Sequence, residues 1–164
     1  MSGGERRQRI GFTGHQGLTA NTEAAVAKRI ATYLQEVNPK VGFCSLAEGA
    51  DQIFAELLLV SEAELVAVIP CRNYEETFTD EVTLQRYRRL LGKATRTIAL
   101  DFASPGEDAY WAAGQKVVEE SDDLIAVWDG EKAKGLGGTG DVVAYARKLN
   151  RNVKIIWPEG SARK

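Results

Sequence analysis

The stretch Asp123-Leu124-Ile125-Ala126-Val127-Trp128-Asp129-Gly130, followed shortly by Gly135-Leu136-Gly137-Gly138-Thr139-Gly140-Asp141, decides the fold. The apolar run from Asp123 to Val127 lacks polar alternation and reads as a strand buried on both faces. Thr139 to Leu149 reads as a helix, with Val142, Ala146 and Leu149 on one side. A glycine-rich turn from a buried strand into a helix presents backbone N–H groups at the positive end of the helix dipole. A small anion, most naturally the phosphate of a nucleotide, is favoured there.

The same alternation of strand and helix extends in both directions from that turn. Strands are predicted at Ile10–Thr13, Val41–Ser45, Leu65–Ile69, Thr95–Leu100, Leu124–Trp128 and Val153–Trp157. Helices are predicted at Thr22–Val37, Asp51–Ser61, Glu75–Leu91, Asp108–Glu120 and Thr139–Leu149. The order predicts an α/β fold: a single-domain, Rossmann-like, doubly wound and mostly parallel sheet of about six strands, with helices on both faces. The domain is expected over residues 9–158, with 1–8 and 159–164 as flexible tails. In such a sheet, ligands bind outside the carboxyl ends of the strands. Four segments follow strand ends directly: Gly14 to Gly17, Ala47 to Asp51, Cys71 to Tyr74, and Asp129 to Asp141. They are expected to meet at one crevice.

The chain has 164 residues, 44% hydrophobic and 27% charged, with net charge −2. That suits one soluble domain with a substantial core. A chain that wraps nucleic acid usually carries a basic surplus, so no nucleic-acid partner is expected. No apolar run is long enough to span a bilayer, because Glu56, Glu62 and Glu64 interrupt the best one; no membrane partner is expected. Residues 1–9 are polar and basic without the apolar core of a signal peptide. Cys44 and Cys71 lack metal-ligand spacing and read as core thiols of a reducing compartment, the cytoplasm. No metal site and no cofactor are expected.

Several residues carry the chemistry. Gly135-x-Gly137-x-x-Gly140 matches a dinucleotide fingerprint by letter, but it sits before the last strand instead of after the first. No Gly-Lys-Ser/Thr sequence marks a P-loop. What stands is a nest built from Gly137, Gly138 and Thr139, with the Thr139 hydroxyl as a further donor. Thr13 and Gly14 end the first strand, and His15 is the only histidine: a hydrogen-bonded loop residue or a ligand contact. Glu48 beside Gly49 is placed to accept from ribose hydroxyls or to act as a general base, or is a solvated surface acid. Asp51 suits the N-cap of the second helix. Asp129 follows the fifth strand, and Trp128 before it is either core or a stacking surface. Arg86, Arg88, Arg89, Lys93 and Arg96 follow an acidic helix start, an order that complements the helix dipole.

Gly11-Phe12-Thr13-Gly14-His15, Leu46-Ala47-Glu48-Gly49-Ala50-Asp51 and Gly137-Gly138-Thr139 with Asp141 together resemble the SLOG superfamily. That group holds nucleotide-sensing Rossmann-like domains, the DNA-processing protein A family and the Lonely Guy phosphoribohydrolases. The likeness runs from Arg9 to Pro158. It implies a nucleotide or nucleotide-derived ligand, its phosphate on Gly137-Gly138-Thr139, with Gly14, Glu48 and Asp129 lining the crevice. The Lonely Guy pattern Pro-Gly-Gly-x-Gly-Thr-x-Glu ends in a catalytic glutamate, and Asp141 stands in its place here. The DNA-processing pattern Gly-Leu-Ala-Arg-Gly-Ile-Asp has an arginine where this chain has Glu48. Tyr110 to Gly130 is similar to nucleoside 2-deoxyribosyltransferases. The expected function is ligand sensing. The alternative is hydrolysis or transfer at an N-glycosidic bond, with Glu48 and Asp141 as candidate catalytic residues. A homo-oligomer is also expected, by likeness to small sheet domains that self-associate.

Overall fold

Six short strands pair in parallel in the order β4-β3-β2-β1-β5-β6. They are β1 (Arg9–Gly14), β2 (Val41–Cys44), β3 (Glu64–Ile69), β4 (Arg96–Ala99), β5 (Asp123–Val127) and β6 (Asn152–Ile156). The computed structural model describes residues 9–132 and 135–164; residues 1–8, expected as a tail, lie outside them. The helices are α1 (Ala20–Val37), α2 (Ala50–Val60), α3 (Glu81–Lys93), α4 (Glu107–Glu119) and α5 (Thr139–Lys148). The sheet is parallel throughout, not merely for the most part.

Each face of the sheet has its own core. Ile10 and Phe12 of β1 and Ile125 and Val127 of β5 join Val26, Ile30 and Leu34 of α1 and Phe54 and Leu58 of α2. Phe12 stacks on Phe54 with ring centroids 4.6 Å apart. On the other face, Leu124 meets Val117 and Val118 of α4 and Val142 and Ala146 of α5. Strands buried on both faces cannot alternate, which is why the sequence reads as apolar runs. Each such side chain contributes roughly 1.5–3 kcal/mol of transfer free energy.

Two expectations about the elements need correction. Glu75–Leu91 is not one helix. A 3₁₀ turn (Tyr74–Thr77) is followed by Phe78 in an extended conformation, and α3 starts only after Asp80. Phe78 turns inward against Tyr87 at 4.7 Å and Tyr74 at 5.5 Å, and that aromatic cluster overrides helix continuity. Asp80 then caps α3 by accepting from Thr83 N at 2.8 Å. The arginines of α3 do more than complement a dipole. Arg86 and Arg89 both hold Glu56 of α2, and Arg88 holds Glu75.

The segment after β6, expected as a flexible tail, is fastened to the body. Thr19 N donates to Ala162 O at 3.2 Å, and Ala162 N donates to Thr22 Oγ1 at 2.8 Å. Lys164 N donates to Gly17 O at 2.6 Å, and Leu18 bridges Arg163 in antiparallel fashion. No helix among the described residues is long and apolar enough to cross a membrane.

Candidate functional site

The strand order reverses between β1 and β5, so the connections leaving these neighbours diverge onto opposite faces of the sheet. A crevice at the carboxyl edge is the geometric consequence. A cleft of about 1060 Å³ lies there. Its lining includes Thr13 and Gly14 at the end of β1 with His15 after it, Glu48 and Asp51 after β2, Asp129 after β5, and Gly137, Gly138 and Thr139 at the start of α5. Gly49 and Asp141, also expected at the site, do not line it.

His15 fastens β1 to β5. Its backbone N donates to Val127 O at 3.1 Å, and its Nε2 accepts from Asp129 N at 3.0 Å. An Nε2 that accepts carries no proton, so the ring is the neutral Nδ1–H tautomer. Burial, with the charge of Arg163, lowers the His15 pKa and favours the same form, against the opposing pull of Asp129. Asp129 Oδ1 lies 3.2 Å from Nε2 but is occupied by Glu131 N at 2.9 Å. Burial raises the Asp129 pKa; the Glu131 amide, His15 and Arg163 outweigh it, and the carboxyl stays below its usual range. His15 thus serves mainly as a buried brace, with one edge on the cleft.

The loop from β2 to α2 is held by the helix it precedes. Asp51 is not the N-cap. That position belongs to Gly49, at φ 90°, ψ −130°, where a Cβ would lie 2.9 Å from Gln16 Cα and 3.0 Å from His15 O. Asp51 is one residue inside the helix and reaches back, its Oδ2 accepting from Ser45 N at 3.2 Å and Ala47 N at 3.3 Å. Gln52 Nε2 donates to Leu46 O at 3.3 Å. These bonds hold Leu46 at φ 58°, a left-handed conformation that a leucine adopts only when its surroundings impose it. Burial pushes the Asp51 carboxyl up to about 7 against the pull of the two amides. Near neutral pH it therefore divides between an acceptor and a proton donor on the cleft floor. Glu48 lines the cleft half-buried, and its carboxylate makes no hydrogen bond to a described residue.

The glycine rim differs from the nest expected for it. Leu136 N donates to Glu107 Oε1 at 3.1 Å, and Gly137 N donates to Asp141 Oδ2 at 3.0 Å. One amide of the nest, that of Gly137, and the Leu136 amide before it are thus occupied by the chain's own carboxylates. The leading amides of α5, at Thr139 and Gly140, have no carbonyl one turn back to bond. Thr139 is nine-tenths buried and lines the cleft, and its hydroxyl makes no hydrogen bond to a described residue. Lys134 lies outside the described residues.

Tyr74 and Leu136, from segments expected at the crevice, line the cleft; sequence reasoning missed Phe78, Tyr110, Arg163 and Lys164, which also line it. Burial holds the Tyr74 phenol well above its usual pKa. Tyr74 belongs to a strand-end segment and Tyr110 begins a helix, so position alone pointed to both. Arg163 carried no signal except its charge. Trp128 is half-buried and donates from Nε1 to Glu131 O at 2.8 Å, bracing the turn that carries Asp129. Cys44 and Cys71 are buried and free. Among the described residues, no group of three or more His, Cys, Asp and Glu is arranged to hold a metal.

Solved structures share this architecture. DNA processing protein A from Helicobacter pylori superposes with a TM-score of 0.68 at 16% identity, over 95% of this chain and 68% of that one. Its counterpart from Streptococcus pneumoniae gives 0.67 at 16% identity, over 93% of this chain and 51% of that one. The present chain therefore spans about half the length of the latter. The molybdenum cofactor binding protein from Rippkaea orientalis gives 0.58 at 18% identity, over 92% of this chain and 77% of that one. The chain shares the fold of these three structures. No family model matches it, and no curated sequence is similar to it.

One expectation is overturned by these likenesses. The DNA processing protein A from H. pylori binds single-stranded DNA, so the net charge of this chain does not exclude a nucleic-acid partner. Net charge averages over the whole surface, whereas a single strand is held by a local groove and by stacking on aromatic faces.

Proposed function

We propose that the cleft binds a nucleotide or nucleotide-derived ligand and that the chain acts as a ligand sensor. The observation that carries this reading is Thr139 at the start of α5, nine-tenths buried as a residue, whose hydroxyl has no protein partner among the described residues, on a cleft at the reversal point of the sheet. A phosphate at the Thr139 and Gly140 amides accepts from the hydroxyl and gains from the helix dipole. Asp129 and Glu48 then face the ribose and base as acceptors, and Tyr110 offers a stacking face at the mouth. Asp141 spends one carboxylate oxygen on the loop amide, which fits a loop-shaping role better than a role in turnover.

A nucleotide unit is common to a free mononucleotide and to a single strand. The test is therefore a panel of nucleoside monophosphates, cyclic dinucleotides, NAD-derived nucleotides and a short single-stranded oligonucleotide. It reads thermal shift and released free base together. At ligand a hundredfold above Kd the native state gains about 2.7 kcal/mol, a shift of several degrees. A shift without base release is the expected result. Base release that is lost in Glu48→Gln or Asp141→Asn replaces sensing by N-glycosidic chemistry. No shift with any member overturns the reading.

A further inference from the structure

We propose that residues 158–164 form a strap whose Arg163 is the cationic clamp for the ligand's anionic group, on the same cleft as Thr139. The inference rests on the nucleotide reading above and assigns the side chain that recognises the charge. Three features support it.

The first is how the strap is held. Ser161 N donates to Pro158 O at 3.0 Å and turns the chain at Gly160. The next residues are tied to the start of α1: Ala162 at both its N–H and its carbonyl, and Lys164 at its N–H. Arg163 lies between these anchored neighbours and pairs with buried Leu18. Its backbone is fixed at the rim, so only its side chain need be ordered on binding.

The second feature is the unspent hydrogen-bonding capacity of the guanidinium. Among the described residues its ion-pair partner is Asp129, with Nη1 3.6 Å from Oδ2, which is too long for a hydrogen bond. The side chain is half-exposed and lines the cleft. A planar fork of five donors beside an open cleft suits the oxygens of a phosphate.

The third feature is the sign of the charge around it. Glu48, Asp51, Asp129 and Glu131 line the same cleft, and Glu107 and Asp141 occupy the rim amides. The cations lining it are Lys132 and the strap's Arg163 and Lys164. Without the strap, a phosphate entering this cleft would meet mostly carboxylates.

The experiment compares Arg163→Gln and Arg163→Lys with the unaltered chain. The probes are adenosine, guanosine, cytidine and uridine 5′-monophosphates, each beside its parent nucleoside, titrated by calorimetry. The clamp predicts that Arg163→Gln weakens the monophosphate at least tenfold and changes nucleoside affinity less than twofold. Arg163→Lys recovers part of the loss, because charge returns without the planar fork. Amide hydrogen exchange at Ala162 and Lys164 is expected to be unchanged in both variants, which separates loss of the clamp from loss of the strap. If Arg163 serves only to neutralise Asp129, monophosphate and nucleoside change by the same factor, and the clamp is overturned while the nucleotide reading stands. If the unaltered chain binds no probe, the nucleotide reading falls and takes the clamp with it.

Discussion

Two walls of the cleft bend the backbone through a glycine at the same φ, near 90°: Gly49 before α2 and Gly137 before α5. They are held by opposite means. The Gly49 wall is tied by Asp51 and Gln52, both buried, which hold the loop from within and keep Leu46 in a left-handed conformation. The Gly137 wall is tied by Glu107, which is exposed, and Asp141, which is half-buried. A buried acceptor has no water to turn to, so its bonds persist. An exposed carboxylate exchanges its amide for water at little cost. The same glycine signal therefore marks a fixed floor in one place and an adaptable rim in the other. That division suits a site that must keep its shape and still admit a ligand.

A matched pair of substitutions breaks or sharpens this contrast most strongly. At both glycines a Cβ would press on backbone, 2.9 Å from Gln16 Cα at Gly49 and 2.7 Å from Trp111 N at Gly137. Strain at such a φ costs about 1–3 kcal/mol, and crowding adds about 1–3 kcal/mol where the surroundings cannot move. Gly49→Ala is expected to lose roughly 3–5 kcal/mol in urea unfolding, because its neighbours are fixed. Gly137→Ala is expected to lose only roughly 1–2 kcal/mol, because its loop can shift. Equal losses would erase the distinction between the walls.

Next in size is the pH dependence of the floor. Asp51 has a native pKa of about 7, against 3.8 for an ordinary aspartate. The folded chain holds that proton more tightly than the unfolded one. The stabilisation is complete below pH about 4 and is lost as the pH rises through about 7. His15, whose pKa is lowered by burial, works in the opposite direction as the pH falls below its ordinary 6.5, so the informative quantity is a difference between two chains. From pH 4 to pH 8, the stability of the unaltered chain relative to Asp51→Asn is expected to fall by on the order of 3 kcal/mol. Parallel stability curves for the two would mean that the floor carboxyl is solvated in solution, and the fixed-wall description would fail.

Much of this was legible in the sequence, and the parts that were not have a common cause. Apolar runs without alternation pointed to the parallel sheet, and glycine at strand ends placed Gly14, Gly137 and Gly138 on the cleft. These are local signals, set by burial and backbone geometry. The break at Phe78, the backward reach of Asp51 and the docking of Arg163 depend on partners far away in the chain or on a choice between two local bonds. Asp51 has the residue type of an N-cap, but Gly49 alone fits the required φ. The aspartate was left one position inside, facing the amides of its own loop. Arg163 looked like part of a polar tail because its anchors, Gly17, Leu18 and Thr22, are more than a hundred residues earlier.

The smallest expected effect is the most direct test of the rim. Glu107 holds the Leu136 amide with a charge that an incoming phosphate must face. Glu107→Gln keeps an oxygen to accept that N–H and removes the charge. The side chain is exposed, so stability should change by less than about 0.5 kcal/mol. If the rim is adaptable and Glu107 is a resident competitor, the substitution raises monophosphate affinity about two- to fivefold at low salt, the effect of removing one like charge across a few ångströms in a solvated setting. The gain should shrink at high salt, where such interactions are screened, and nucleoside affinity should not move. Unchanged monophosphate affinity would mean that the carboxylate never opposes the ligand. A fall would mean that Glu107 contacts the ligand itself, which would make the rim as fixed in its present geometry as the floor.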